Sequence, residues 1–273
     1  MNTSNASEFI TYQLTGSGNS PRAVEAYWTP ERKAAAVPVL SGLKSGLASP
    51  HDGANDALAT EPKPADMSKM PFNTSGKLFF TIDGVDYVAT ANIFMQNNML
   101  LTAAHCIQSK QTGSLGTNFI FERCYTGQPY SERLTFKTCA LKVNWHLKPN
   151  AEWDYGIAIL NGHSNVAQPL RYSLDPNIEG KTVTAMGYPL AFFDGHRMMF
   201  IKGPLTTKDG FWNMLGSKMG PGASGGAWVL DDQVTAIGIN AFIARTPQGT
   251  LYSGSPKFDA EFEKLYQHAL TLA

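Results

Sequence analysis

Two short stretches decide the reading of this chain: Leu101-Thr-Ala-Ala-His105-Cys106 and Gly220-Pro-Gly222-Ala-Ser224-Gly225-Gly226. Between them, Asp154-Tyr-Gly-Ile-Ala-Ile-Leu160 sets a carboxylate at the mouth of an apolar run. A base, a carboxylate and a hydroxyl thus follow one another as His105, Asp154 and Ser224. A serine hydroxyl is a weak nucleophile at neutral pH. It becomes useful when an imidazole takes its proton, a carboxylate holds that imidazole, and backbone N–H groups receive the developing oxyanion. The glycines around Ser224 allow a tight turn with outward-facing N–H groups. Gly222 and Ser224 are therefore the expected oxyanion donors. The carboxylate of Asp154 is costly at the end of a buried strand unless it is hydrogen-bonded, and an N–H of His105 would satisfy it.

The other histidines, His51, His146, His163, His196 and His268, have no such company. Neither His-x-x-x-His nor Cys-x-x-Cys occurs, so no metal site is expected, and the chemistry needs no organic cofactor. Lys+Arg and Asp+Glu both number 22, for a formal net charge of zero over 273 residues. That balance lacks the basic excess of a nucleic-acid-binding surface. No apolar run reaches the length of a membrane span, and the first residues lack a signal-peptide pattern. A monomer acting on a polypeptide is expected, with no nucleic-acid or membrane partner.

Working outward, residues 1–70 and 71–273 read as different materials. The first stretch carries one apolar-aromatic island, Ala26-Tyr27-Trp28-Thr29-Pro30-Glu31-Arg32. It then turns small and polar through residues 41–50, 52–56 and 61–64, a composition that reads as a linker. From Gly76 the pattern is all-β. Leu78–Ile82, the turn Asp83-Gly84 and Val85–Phe94 predict a hairpin. Short strands are predicted at Met99–Thr102, Asn118–Tyr125, Leu134–Val143, Tyr155–Leu160, Thr182–Tyr188, Arg197–Ile201, Ala227–Leu230 and Val234–Phe242. Such spacing suggests barrels or a sandwich. Near the end, Phe258, Phe262, Leu265, Tyr266, Ala269 and Leu270 mark one face of a helix, with Ser255-Pro256 as its start signal.

Gly222-Ala-Ser224-Gly-Gly226 also matches the serine elbow of α/β-hydrolases, which needs a carboxylate and then a histidine downstream. Asp259 and His268 meet that order, but both fall on the terminal helix, and no alternating strand-helix pattern precedes the serine.

The blocks "LTAAHC", "DYGIAIL" and "GASGG" resemble the three motif blocks of chymotrypsin-fold, trypsin-like serine peptidases. More specifically, they resemble the secreted microbial branch that includes the glutamyl endopeptidases. The resemblance covers residues 76–273. It implies two six-stranded antiparallel β-barrels with the site between them and a C-terminal helix. It implies His105 as general base, Asp154 as its orienter and Ser224 as nucleophile. It also implies secretion, and "YWTPER" with the flexible stretch after it resembles that branch's propeptides. Residues 1–70 then form a propeptide-like segment and 71–273 the peptidase domain. Rival readings are a silent or self-inhibited binding protein on this fold, and an esterase using the same serine.

The chain departs from the family at several points. Animal members carry an aspartate directly before the serine, which pairs with the freed N-terminus on activation; here that position is Ala223. The usual partner of Cys106 falls near Ala89. Cys124 and Cys139 flank a predicted hairpin and are candidates to pair with each other, with Cys106 the alternative partner of either. Where glutamyl enzymes read an acidic side chain with a histidine, this chain has Asn240. The pocket base falls near Lys218, which either meets an acidic substrate side chain or points to solvent. The expected substrate-binding set is Lys218, Asn240, Ala241 and Phe242, the last three as a strand that pairs with substrate backbone.

Overall fold

The computed structural model describes residues 8–39, 58–127 and 132–273. Six antiparallel strands, Ser75–Ile82, Val85–Phe94, Gln96–Thr102, Thr117–Arg123, Glu132–Lys142 and Gly156–Leu160, close into a barrel, the last pairing back to the fifth. The predicted hairpin turns at Asp83 and Gly84, with φ of 51° and 77°, the positive pair that a tight primed turn requires. Neighbouring side chains on a strand point to opposite faces, yet Phe79 and Phe80 are both fully buried. Phe80 stacks on Phe119, while Phe79 is covered by Trp28.

That cover comes from the apolar-aromatic island of the first stretch. Residues 8–39 build no core of their own and borrow the barrel's. The strand Phe9–Gln13 pairs with Thr138–Lys142, and Val37–Pro38 pairs with Tyr87–Val88. The helices Pro21–Tyr27 and Pro30–Ala35 are capped by the Ser20 and Thr29 hydroxyls, each with proline in the first turn. Leu14, Val24 and Trp28 are buried in the barrel's own hydrophobic cluster. The small-residue stretches at 41–50 and 52–56 lie outside the described residues. Residues 58–65 lie along the second half of the molecule. Ala59 N–H donates to Leu215 O, Thr60 N–H to Lys202 O and Ala65 N–H to Met198 O, and Lys63–Pro64 pairs with Met199–Phe200.

The second half is not one closed hydrogen-bonded ring. It is a six-stranded sheet containing Thr182–Gly187, Met199–Pro204, Ala227–Leu230 and Thr235–Ile239, set beside a four-stranded sheet of Thr206–Lys208, Phe211–Leu215, Leu251–Pro256 and Phe242–Arg245. The predicted strand Val234–Phe242 accordingly breaks in two. At the seam between the sheets, Ile239 N–H donates to the Ser255 hydroxyl at 2.8 Å, so a side chain stands in for a backbone ladder. A Cβ on Gly238 would lie 2.0 Å from that hydroxyl oxygen, so only glycine admits the approach.

The same contact explains why the helix does not start at Ser255-Pro256. Ser255 is fully buried in a strand. The helix Ala260–Leu270 instead begins after Asp259, whose carboxylate accepts from the N–H groups of Glu261 and Phe262. Its predicted apolar face is buried at Phe262, Leu265, Tyr266 and Ala269, against Phe94, Tyr155 and Tyr172.

Among the described residues no disulfide joins Cys106, Cys124 and Cys139 to one another, which corrects the candidate pairings. Arg123 is opposite Glu132 in the ladder, so Cys139 lies seven positions further along its strand from the residue opposite Arg123. At about 3.4 Å per residue that is roughly 24 Å, far beyond the reach of a disulfide.

Candidate active site

Strand pairing brings the histidine and the aspartate together. Thr102 is opposite Gly156 in the ladder between Gln96–Thr102 and Gly156–Leu160. His105 follows in the short turn Ala104–Cys106, and Asp154 closes the short turn Ala151–Trp153, which Asn150 caps. Both side chains therefore emerge at one end of the same strand pair. Asp154 Oδ2 lies 2.8 Å from His105 Nδ1, and Asp154 Oδ1 accepts from the backbone N–H of His105 at 2.9 Å. Both residues are buried. Burial by itself would lower the proton affinity of the imidazole. The Asp154 carboxylate, with a contribution from Cys106, outweighs it and holds the His105 pKa well above 6.5. The far nitrogen, Nε2, is buried and makes no hydrogen bond among the described residues.

The serine turn comes from the second half and presses against the first barrel. Gly225 has φ +82°, and a Cβ there would lie 2.2 Å from Thr102 Oγ1 and 2.4 Å from Thr90 O. Ser224 is thereby held beside the strand end that leads into His105. It is 5% exposed, and no hydrogen bond joins its hydroxyl to His105 in this state. Such contacts commonly tighten only when substrate is bound. Gly222 has φ +96°, and a Cβ there would meet Tyr188 O at 2.4 Å. Among the described residues the N–H groups of Gly222 and Ser224 donate to no acceptor, whereas those of Ala223, Gly225 and Gly226 are all used, by Gly220 O, Asn240 O and Ala223 O. Two unused donors, on either side of Ala223, in a turn that otherwise spends its N–H groups form a ready anion receptor.

Ala223 is fully buried against Gly187, where a Cβ would lie 2.9 Å from it. A carboxylate at 223 would find this ground packed and apolar.

Beside Ser224 is a small recess lined by Met219, Gly220, Asn240, Ala241, Phe242 and Ile243. Of the expected substrate-binding residues, Asn240, Ala241 and Phe242 line it and Lys218 does not. Lys218 is on the surface, with its ammonium 2.6 and 2.7 Å from the two carboxylate oxygens of Glu61. The Asn240 side chain is buried and committed to the protein: its amide N–H groups donate to Met186 O and Ala223 O, and its oxygen accepts from Trp228 Nε1. The Ala241 N–H donates to Gly254 O.

Two residues of the site escaped the sequence reading. Thr90 and Asn92 stand on one face of the strand Val85–Phe94 and reach across to the serine turn. Asn92 Nδ2 donates to Gly225 O at 2.8 Å, and Thr90 Oγ1 to Gly222 O at 3.0 Å. The available signal was polar side chains alternating within a strand flanked by Ala89, Ala91 and Ile93, which are all buried.

Among the described residues, no group of His, Cys, Asp and Glu is arranged to hold a metal ion, and no helix is long and apolar enough to cross a membrane.

A family model described as the trypsin-like peptidase domain matches residues 89–239, more than half of the chain. No curated protein matches it in sequence. Solved structures that share its fold include the following three. A thermostable serine protease from an extremophilic microorganism is 24% identical, with a TM-score of 0.66 over 74% of this chain and 99% of that one. The protease Anisep from Arthrobacter nicotinovorans is 23% identical, with a TM-score of 0.64 over 74% and 97%. A Glu endopeptidase is 19% identical, with a TM-score of 0.65 over 79% and 97%.

Proposed function

The chain belongs to the trypsin-like peptidase family, and from that premise we propose that it is a serine endopeptidase working through an acyl-enzyme on Ser224. His105 removes the proton from the Ser224 hydroxyl as its oxygen attacks the peptide carbonyl. Asp154 holds the imidazole and balances the charge it acquires. The N–H groups of Gly222 and Ser224 receive the oxyanion. His105 then protonates the leaving amine, and water enters by the reverse path to release the acid. One observation carries this reading: a buried His105–Asp154 contact beside a serine turn with two unused N–H donors.

The substrate is a polypeptide, and its backbone pairs with the stretch Asn240–Phe242 that walls the recess. The side chain before the scissile bond enters among Met219, Ala241, Phe242 and Ile243, so we assign the pocket a neutral, apolar preference. Residues 1–70 serve as a propeptide-like segment to the peptidase domain 71–273, and the enzyme is a secreted monomer. Its zero net charge favours neither nucleic acid nor anionic membrane as a partner.

The test is labelling with a fluorophosphonate, together with peptide turnover. Wild type takes the label on Ser224 and cleaves peptides. Ser224→Ala loses both, with turnover down by about 10⁴-fold or more. Wild type that resists the label is a silent binding protein on this fold. Label with ester but no peptide turnover marks an esterase. Peptidase activity that persists in purified Ser224→Ala refutes the assignment.

A further inference from the structure

A nucleophile turn offers an oxyanion receptor only if its peptide planes are held with their N–H groups facing the cleft. In a trans peptide the C=O and N–H point in opposite directions, so the partner of each carbonyl shows what aims each N–H. The Pro221 carbonyl, opposite the Gly222 N–H, accepts from Leu190 N–H at 2.8 Å. The Ala223 carbonyl, opposite the Ser224 N–H, accepts from Asn240 Nδ2 at 3.1 Å and from Gly226 N–H at 2.9 Å. These partners all belong to the second half of the molecule.

Thr90 differs because it comes from the first barrel and meets the turn at two places. Its hydroxyl donates to Gly222 O at 3.0 Å and accepts from Tyr188 N–H at 3.1 Å. Its backbone N–H donates to Ser224 O at 2.8 Å. Its own carbonyl accepts from the Thr102 hydroxyl at 2.9 Å, three residues before His105. A hydroxyl has one proton to donate and two lone pairs. Here the proton goes to the Gly222 carbonyl, in the peptide that lies between the two oxyanion donors and whose own N–H, that of Ala223, is held by Gly220 O. A lone pair takes the N–H of Tyr188, whose own carbonyl packs against Gly222. Thr90 is fully buried, so no water replaces these contacts. Gly222, at φ +96°, is the least restrained type of residue in the turn, and its carbonyl has no other partner among the described residues.

We propose that Thr90 is a positioning residue: its side-chain hydroxyl ties the oxyanion turn of the second half to the barrel that carries His105 and Asp154. The proposal rests on the reading of Gly222 and Ser224 as the oxyanion donors. Thr90 touches no reacting atom. Its effect runs through the Gly222 backbone and therefore falls on the transition state, not on substrate affinity.

The experiment compares Thr90→Val, which keeps the shape and the backbone N–H but removes the hydroxyl, with Thr90→Ser, which keeps the hydroxyl. Each is measured with a peptide amide that wild type cleaves, and with the peptide aldehyde of the same sequence, whose adduct carries an oxyanion. Thr90→Val is expected to lose about ten- to a hundredfold in kcat, less than deletion of an oxyanion donor outright. Its KM should stay within about twofold, and its affinity for the aldehyde should fall in parallel with kcat. Thr90→Ser should stay within about threefold of wild type in both. The proposal is overturned if Thr90→Val keeps kcat, if the loss is in KM alone, or if Thr90→Ser is as impaired as Thr90→Val. Should Thr90→Val not fold, Thr90→Ala carries the same expectation, and unfolding of both assigns the hydroxyl to stability and overturns the proposal. Ser224→Ala is the control. Activity surviving there removes the underlying site reading and this proposal with it. Activity lost there but kept in Thr90→Val removes the positioning role alone.

Discussion

Asp154 holds His105 at two points, through the ring at Nδ1 and through the backbone N–H, at 2.8 and 2.9 Å. One carboxylate thus fixes both where the histidine sits and how its ring is turned. Asparagine at 154 fits the space but presents one oxygen and one N–H₂ group, so it cannot accept at both points. Asp154→Asn is expected to stay folded and lose about 10⁴-fold in kcat. A loss below tenfold, measured by steady-state turnover on the purified variant, would count against Asp154 as the orienter.

The same contact predicts a pH dependence. His105 has a folded-state pKa held well above its ordinary 6.5, because Asp154 overrides the opposing effect of burial. The folded chain therefore binds this proton more tightly than the unfolded chain. The resulting stabilisation is full below pH 6.5 and is lost as pH rises through the folded-state value. Activity runs the other way, since a general base must be neutral. The free enzyme's kcat/KM should rise with pH to a plateau on the alkaline side. Denaturation midpoints against pH for wild type and Asp154→Asn, with kcat/KM against pH for wild type, check both; a wild-type kcat/KM already on its plateau at pH 6 contradicts the expectation.

Gly222→Ala tests the turn. A Cβ at this φ of +96° would lie 2.4 Å from Tyr188 O, so the turn must shift. The expected result is a fall in kcat of about a hundred- to a thousandfold, as for loss of an oxyanion donor, with KM little changed. Steady-state kinetics separates the two parameters.

Lys218→Ala tests specificity. Its ammonium is bound to Glu61, with the two side chains 45% and 74% exposed, and it lies outside the recess beside Ser224. Exposed pairs of this kind contribute at most about 1 kcal/mol. The variant should change the ratio of kcat/KM for Glu against Leu or Phe substrates by less than about twofold, and wild type should favour the neutral ones. A wild-type preference for Glu that collapses in Lys218→Ala would return this lysine to the pocket.

Trp28→Ala tests the cover over the first barrel. Trp28 is 3% exposed, packs on Phe79 and donates from Nε1 to Asn118 O. Its truncation should cost about 3–5 kcal/mol, read from the denaturant midpoint. An unchanged midpoint would show that residues 8–39 ride on the barrel without supporting it.

Much of the molecule is legible in the sequence. The order His105, Asp154, Ser224, the all-β class, the Asp83-Gly84 turn and the apolar face of the last helix follow from local rules of residue type and spacing. The region around Trp28 was legible only as an apolar island, because a segment's composition does not say whose core it will share. Ser255-Pro256 reads locally as a helix start, yet the helix begins after Asp259. A serine before a proline is a sound cap signal, but the Ser255 hydroxyl was needed by Ile239 on a neighbouring sheet.

The sequence by itself determined which side chains are candidates for the chemistry, since proton transfer and nucleophilic attack demand particular side chains and a flexible turn. Only the tertiary structure decided what those groups touch. It sent Lys218 to Glu61, gave the Asn240 amide to Met186 O, Ala223 O and Trp228, and set Thr90 against Gly222 across the two halves. Those contacts join residues 12 to 157 positions apart, and a hydrogen bond depends on distance and direction in space, which no local pattern of residues encodes.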